Sequence, residues 1–138
     1  MLDAELAQAA RFCFADTYQE ARERFCNLCP DAVAHLAQAR GPAGEELATD
    51  IAWIGSPEAD RVLVVVSGVH GAEGYAGSAI QCDLAAGRGR IALRPDEAIL
   101  LIHAVNCHGF AWGRRVTEEG CDLNRNFIDF DTALPAND

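Results

Sequence analysis

The chain has 138 residues, 50% of them hydrophobic, which is enough for one domain with its own core and leaves little room for two. Its net charge is -10, with 21 acidic residues against 11 basic ones that are all arginine, and this argues against nucleic acid or an anionic membrane surface as a partner. No apolar run approaches the roughly 20 residues of a membrane span.

The N-terminus and the cysteines indicate a cytoplasmic protein. Asp3 and Glu5 come early and no basic stretch precedes an apolar run, so we expect no signal peptide. Six cysteines would suit a disulfide framework in a small secreted chain, but the core is sufficient without such links, and we expect reduced thiols. Cys26 and Cys29 form a lone C-x-x-C pair at a predicted helix end, where coincidence is a better explanation than redox chemistry or a zinc site.

The N-terminal segment, about residues 3–40, is predicted to be helical. Apolar residues at helical spacing predict one amphipathic helix over residues 3–28. A second short helix is predicted over residues 31–40, ended by Gly41.

The remainder, about residues 46–138, has the pattern of an α/β domain. The predicted elements are a half-exposed strand over 47–53, a strand buried on both faces over 62–66, a helix over 76–86 and a buried strand over 99–105. Strand, helix and strand with short connections indicate a right-handed βαβ unit. We therefore expect the chain, residues 1–138, to form a single α/β domain.

Two polar clusters follow the two buried strands, where α/β sheets bind their ligands. The first is His70 with Glu73, whose spacing lets both side chains converge if the chain turns into a helix there. An imidazole and a carboxylate are half of a zinc site. The alternative is a hydrogen-bonded core histidine beside a solvated acid at a helix start.

The second cluster begins at Asn106 and continues through Arg115 to the segment 122–127, which has the sequence D-L-N-R-N-F. Arginines beside asparagines on a loop can bind a carboxylate in bidentate fashion or stabilise a developing oxyanion. Together with zinc, such groups describe a hydrolase that acts on an amide near a free carboxylate. Alternatively, Arg125 pairs with Asp122 and Asn124 only shapes a turn.

The ordered combination of His70-Gly71-Ala72-Glu73, Asn106-x-x-Gly109, Arg115 and D-L-N-R-N-F resembles the zinc carboxypeptidase family. It is most similar to an uncharacterised bacterial branch and, more distantly, to succinylglutamate desuccinylase and aspartoacylase. The resemblance implies the N-terminal part of a three-layer α/β/α carboxypeptidase-like fold with a mixed, largely parallel sheet.

Residue by residue, the resemblance implies that His70 and Glu73 are two of three protein ligands of a zinc cofactor. It implies that Arg115 polarises the scissile carbonyl and holds its oxyanion, and that Asn124 and Arg125 bind the terminal carboxylate of a small peptide or N-acyl amino acid. These residues do not separate a peptidase from an N-acyl-amino-acid deacylase.

The chain departs from that family at two places. The family loop Asn-Pro-Asp/Tyr-Gly is replaced by Asn106-Cys107-His108-Gly109, and we expect His108 to be a solvated loop histidine. The family's third zinc ligand, a histidine, and its catalytic glutamate are absent, so we expect the isolated chain to be inactive. The alternative is a truncated, non-catalytic binding or assembly module that forms a homo-oligomer through an exposed sheet edge.

Overall fold

A four-stranded mixed sheet is the centre of the structure, a computed structural model that describes residues 4–87, 91–125, 127–129 and 131–133. The elements in chain order are α1 (Ala4–Cys13), α2 (Tyr18–Leu28), β1 (Val33–Arg40), β2 (Glu46–Gly55), β3 (Arg61–Val66), α3 (Gly74–Ala85), β4 (Glu97–His103) and α4 (Cys107–Trp112). None of the helices in these ranges is long and apolar enough to cross a membrane.

The strands lie in the order β1-β2-β4-β3. β1 pairs with β2 and β2 with β4 in antiparallel fashion, whereas β3 and β4 are parallel and joined by α3. The α/β class, the mixed sheet and the βαβ unit are therefore confirmed. Over the described residues antiparallel pairs outnumber the parallel one, which differs from the largely parallel sheet that we expected.

The core lies between the helices and one face of the sheet. Phe25 of α2 and Cys82 of α3 pack against Ala52, Ile99 and Leu101 of the central strands. A second cluster joins Tyr18, Leu47 and Phe110 beside α4. The described helices thus cover one face, and the second helical layer of a three-layer fold is not among the described elements.

The prediction of one helix over residues 3–28 is wrong, because the segment forms two helices, α1 and α2, with a non-helical connection between them. Thr17 is extended and its Oγ1 accepts a hydrogen bond of 3.1 Å from the Glu20 backbone N–H, so it acts as the N-cap of a new helix. The apolar stripe continues across the break, and this continuity concealed the cap.

The predicted helix over 31–40 is also wrong, because the segment is strand β1. Its backbone pairs antiparallel with β2, with Leu36 opposite Ala48 and a register shift between Leu36 and Arg40. Pairing with β2 outweighs the helical preference of this alanine-rich segment.

Strand β3 is not buried on both faces as its apolar run suggested. It pairs only with β4 among the described strands, and Leu63 and Val64 are 58% and 50% exposed. On the face away from the helices, Val64 lies in register with Leu100 of β4 and Trp53 of β2. This apolar surface, comprising Trp53, Val62, Val64 and Val66, is called the open face below.

The cysteines of α3 and α4 and those at the end of α2 are thiols in the structure. Cys26, Cys29, Cys82 and Cys107 are free, and Cys82 and Cys107 are buried in the core. Burial raises the pKa of the Cys82 thiol to about 11 and also raises the pKa values of Cys26 and Cys29 at the end of α2. Thiols held protonated in this way suit packing better than redox chemistry.

Candidate functional site

The candidate site lies beyond the carboxyl ends of the two parallel strands. The pairing of β3 with β4 is extended by hydrogen bonds from Val105 N to the Ser67 carbonyl (3.0 Å) and from Asn106 N to the Gly68 carbonyl (2.9 Å). These bonds bring the segment that begins with His70 and the segment that begins with Asn106 to the same edge of the sheet. The edge is where ligands bind in α/β folds.

His70 faces a carboxylate with each ring nitrogen. Nδ1 is 3.4 Å from Glu73 Oε2, and Nε2 is 2.9 Å from Asp122 Oδ1. The His70 side chain is 11% exposed, whereas that of Glu73 is 76% exposed at the start of α3. One ring nitrogen of His70 therefore contacts Asp122, and the other faces the exposed Glu73 carboxylate.

Asp122 joins three parts of the site. Its Oδ2 accepts a hydrogen bond of 2.8 Å from Arg115 Nε, and its Oδ1 accepts one of 3.0 Å from the Asn124 backbone N–H in addition to the contact with His70. Hydrogen bonds from Arg115 and His70 hold the pKa of Asp122 well below its usual range. A fixed negative charge therefore sits between the imidazole and the guanidinium.

Sequence reasoning did not assign Asp122 to the site. The available signal was its position two residues before Asn124 in the D-L-N-R-N-F segment. Because 52 residues separate His70 from Asp122, nothing local to either residue indicates their contact. The alternative pairing of Asp122 with Arg125 is not what the structure describes, since Arg125 Nη1 donates to the Asn124 carbonyl at 2.8 Å.

The two adjacent arginines point in different directions. Arg115 contacts Asp122, and its side chain remains 53% exposed. The Arg114 guanidinium lies 5.8 Å from the Trp112 ring centre, outside this group. Arg115 is thus the arginine that shares the Asp122 carboxylate with His70.

Asn124 and Arg125 are exposed on the loop that follows Asp122. The Asn124 backbone is tied to Asp122, so the loop is anchored while both side chains remain open to solvent. The structure therefore brings His70, Arg115 and the Asn124 backbone to the Asp122 carboxylate, while Glu73 contacts the other ring nitrogen of His70. Asn126 of the same segment lies outside the described residues.

The donors fit part of a metal site. A metal-binding histidine commonly gives its second ring nitrogen to a carboxylate, and Asp122 occupies that position behind His70. His70 Nδ1 and the Glu73 carboxylate are then left on one side as ligands of the types that zinc prefers. Within the described ranges, no group of three or more histidine, cysteine, aspartate or glutamate side chains is placed to hold a metal ion.

The other three histidines lie elsewhere in the fold. His35 is exposed on β1, and His103 is fully buried at the end of β4 with Nε2 2.8 Å from Ser78 Oγ. The prediction for His108 as a solvated loop residue is wrong. It lies in α4, its ring is stacked 5.8 Å from that of Trp112, and its Nδ1 is buried without a hydrogen-bond partner.

Comparison with known proteins places the chain in a family. A family model described as "Protein of unknown function (DUF2817)" matches residues 14–138. The chain belongs to this DUF2817 family. No curated protein matches the chain.

Among solved structures, the DUF2817 chain is similar to the crystal structure of Fimbriiglobus ruber glutaminyl cyclase, with 15% sequence identity and a TM-score of 0.39. The match covers 70% of this chain and 41% of that one, so the chain spans less than half the length of the cyclase.

Proposed function

We propose that this chain provides the zinc-binding half-site and the carboxylate-binding loop of a hydrolase that cleaves an amide or peptide bond next to a free carboxylate. The observation that supports this most is the orientation of His70. Asp122 holds Nε2 at 2.9 Å, and Nδ1 is left facing Glu73 at 3.4 Å. The ordered resemblance of these residues to zinc carboxypeptidases adds support.

Each residue of the site has a chemical role in this proposal. His70 and Glu73 would hold zinc, which would supply polarisation of a carbonyl and activation of water. Arg115, half-exposed beside Asp122, places its positive charge where the oxyanion of the scissile carbonyl develops. Asn124 and Arg125 bind the substrate carboxylate from the adjacent loop.

The substrate class in the proposal is a small peptide or an N-acyl amino acid. We propose that the chain works in the cytoplasm, since free thiols such as Cys26 and Cys29 suit a reducing compartment. The isolated chain is expected to be inactive, because catalytic zinc sites use three protein ligands and His70 and Glu73 are two.

Metal binding is the direct test. Zn²⁺ titrated into the metal-free chain should shift the NMR signals of the His70 ring and raise the melting temperature. His70→Ala should abolish the rise in melting temperature, whereas His35→Ala, a change at an exposed histidine on β1, should leave both effects unchanged. Equal zinc binding by His70→Ala and the unaltered chain would overturn the metal assignment.

Carboxylate recognition needs a separate test. An N-acetyl amino acid should perturb the NMR signals of Asn124 and Arg125, and the corresponding amide, which lacks the charge, should perturb them much less. Arg125→Gln should weaken the effect, while Arg94→Gln, which alters an exposed arginine paired with Glu97, should not. Identical responses to acid and amide would contradict the proposed role.

A second candidate function is a non-catalytic assembly module in which the open face binds a second copy of the chain. The observation in its favour is the exposure of Val62, Val64 and Val66, at 40%, 50% and 44%, on a strand that pairs on one side only among the described strands. An unpaired edge beside an apolar face suits a symmetric contact between identical chains.

Analytical ultracentrifugation tests this second candidate. A dimer that Val64→Glu dissociates, and that Ile80→Glu on the outer surface of α3 leaves intact, would support it. Ile80 is a matched control because it is 59% exposed in the unaltered chain. A monomer at all concentrations would exclude the assembly function.

A further inference from the structure

Three backbone segments meet tightly behind the candidate site. Gly71 N donates a hydrogen bond of 3.0 Å to the Arg114 carbonyl, and Arg114 N donates one of 2.7 Å to the Gly109 carbonyl. A Cβ atom on Gly71 would overlap both the Gly109 backbone and the Arg114 carbonyl. The segment with His70, the start of α4 and the segment with Arg115 are therefore in direct contact.

The Asn106 side chain bonds to all three segments. It is 3% exposed, and its Oδ1 accepts a hydrogen bond of 2.7 Å from Gly109 N. Its Nδ2 donates to the Arg115 carbonyl at 3.3 Å and makes a longer contact of 3.5 Å with the Val69 carbonyl. This pattern of one N–H and two carbonyls defines which end of the amide is oxygen.

The two halves of the amide have separable roles. The acceptor half caps α4 and contacts only that helix, as an N-cap residue does. The donor half contacts the residue before His70 and the backbone of Arg115. Capping alone would be satisfied by serine or aspartate, whereas bonding to both site segments requires the NH₂ group.

We propose that Asn106 is a positioning residue, which sets the separation between His70 and Arg115 so that both side chains reach Asp122. The inference deepens the proposed function and rests on it for the roles of those two residues. Asn106 touches neither the metal nor the substrate in this proposal. Its NH₂ group acts through the backbone of Val69 and Arg115.

Asn106→Ser isolates the donor half, because serine keeps an N-cap acceptor and removes both donated bonds. Asn106→Asp also keeps the acceptor and removes both donated bonds, with a side chain closer in shape to asparagine. It replaces the serine variant in the test if that variant does not fold. Gln81→Leu is the matched control. Gln81 is also fully buried and its Nε2 donates to two carbonyls, of Val65 and Ile102, but it lies in the sheet core.

The readouts are two NMR signals of the metal-free protein and its affinity for Zn²⁺. The Arg115 Nε–H cross-peak reports the bond to Asp122, and the His70 ring nitrogens report whether Nε2 is held. We expect both signals to change in Asn106→Ser and Asn106→Asp, with zinc affinity lowered about tenfold or more. Gln81→Leu should lower the melting temperature without moving either signal.

Signals of Arg115 and His70 in both Asn106 variants that match the unaltered chain would overturn the inference. A shift of equal size in Gln81→Leu would also overturn it, since general loosening would then explain the effect. If the unaltered chain binds no zinc, the proposed function fails, but the metal-free NMR signals still decide the role of Asn106.

Discussion

Two histidines at neighbouring strand ends have opposite surroundings. His70 follows β3, is partly exposed and has a carboxylate at each ring nitrogen. His103 ends β4, is fully buried and stacks on Phe25 with ring centres 4.4 Å apart. Its Nε2 meets Ser78 Oγ, and its Nδ1 has no hydrogen-bond partner.

The difference shows how burial divides function between similar residues. Removal from water favours the neutral form of His103 and lowers its pKa to about 4. A neutral, enclosed imidazole packs and orders the core, and a ligand has no route to it. His70 is ordered by Asp122 and is partly exposed, with Nδ1 beside the exposed Glu73 carboxylate, and a metal ligand needs both order and access.

Near His103 lies an ion pair whose carboxylate is almost fully buried. Arg22 of α2 donates two hydrogen bonds, of 2.7 Å and 3.0 Å, to Asp50 of β2. Asp50 is 1% exposed, and it lies opposite His103 in the β2–β4 register. Stability should therefore depend on this buried group far more than on the exposed site, and variants can test that contrast.

The largest effect is expected for Arg22→Met. The substitution keeps an apolar stem but leaves the Asp50 carboxylate buried without its partner, which costs about 3–5 kcal/mol in comparable cases. Urea unfolding at pH 7 measures the free energy of unfolding. Arg61→Met is the control, because Arg61 pairs with Asp96 at the surface and such pairs contribute at most about 1 kcal/mol. Equal losses in the two variants would contradict the contrast.

The second largest effect is a loss of stability in acid caused by His103. Between about pH 6.5 and pH 4 the unfolded chain binds a proton at this residue and the folded chain does not, so the free energy of unfolding falls as the pH falls. A pKa of about 4 against the ordinary 6.5 corresponds to about 3 kcal/mol over that range.

His103→Gln should remove that part of the pH dependence, measured by urea unfolding at pH 7 and pH 4.5. His35→Gln, at an exposed histidine, should retain the slope of the unaltered chain. An unchanged slope in His103→Gln would mean that acid sensitivity comes from other groups.

A smaller effect is expected for Ser78→Ala. The hydroxyl of Ser78 is the hydrogen-bond partner of His103 Nε2, and Nδ1 already lacks one. Loss of the hydroxyl leaves His103 Nε2 without a hydrogen-bond partner as well, and an unsatisfied buried polar atom costs about 1–3 kcal/mol of stability. A melting temperature equal to that of the unaltered chain would show that another group replaces the hydroxyl.

The features that could be predicted from the sequence are those that depend on the pattern of neighbouring residues. The βαβ unit, confirmed by the parallel pairing of β3 and β4, was predictable because the apolar runs and the helix between them have distinct periods. The predicted helix end at residue 86 lies one residue beyond the end of α3, where Gly87 follows with a φ of 68°. The proximity of His70 and Glu73 follows from their spacing at the start of a helix. The burial of His103 followed from its place in an apolar strand.

Long-range contacts account for what the sequence did not predict. Strand β1 depends on pairing with β2, which its own alanine-rich composition does not indicate. The exposure of β3 depends on its position in the sheet, and its apolar run is equally compatible with a central strand. Asp122 reaches His70 across 52 residues, so its place in the site depends on how the loops fold together.

The smallest effect on stability is expected for Glu73→Gln, and it contrasts most directly with the buried group. The Glu73 side chain is 76% exposed, and surface changes of this kind usually alter the free energy of unfolding by no more than about 0.5 kcal/mol. Its carboxylate is nevertheless one of the two zinc ligands that this chain supplies in the proposed metal site. Zinc affinity should therefore fall clearly while urea unfolding of the metal-free chain stays unchanged. Glu58→Gln, at an exposed acid after β2, should alter neither quantity. A carboxylate that could be removed without changing either stability or zinc affinity would have no role in the site.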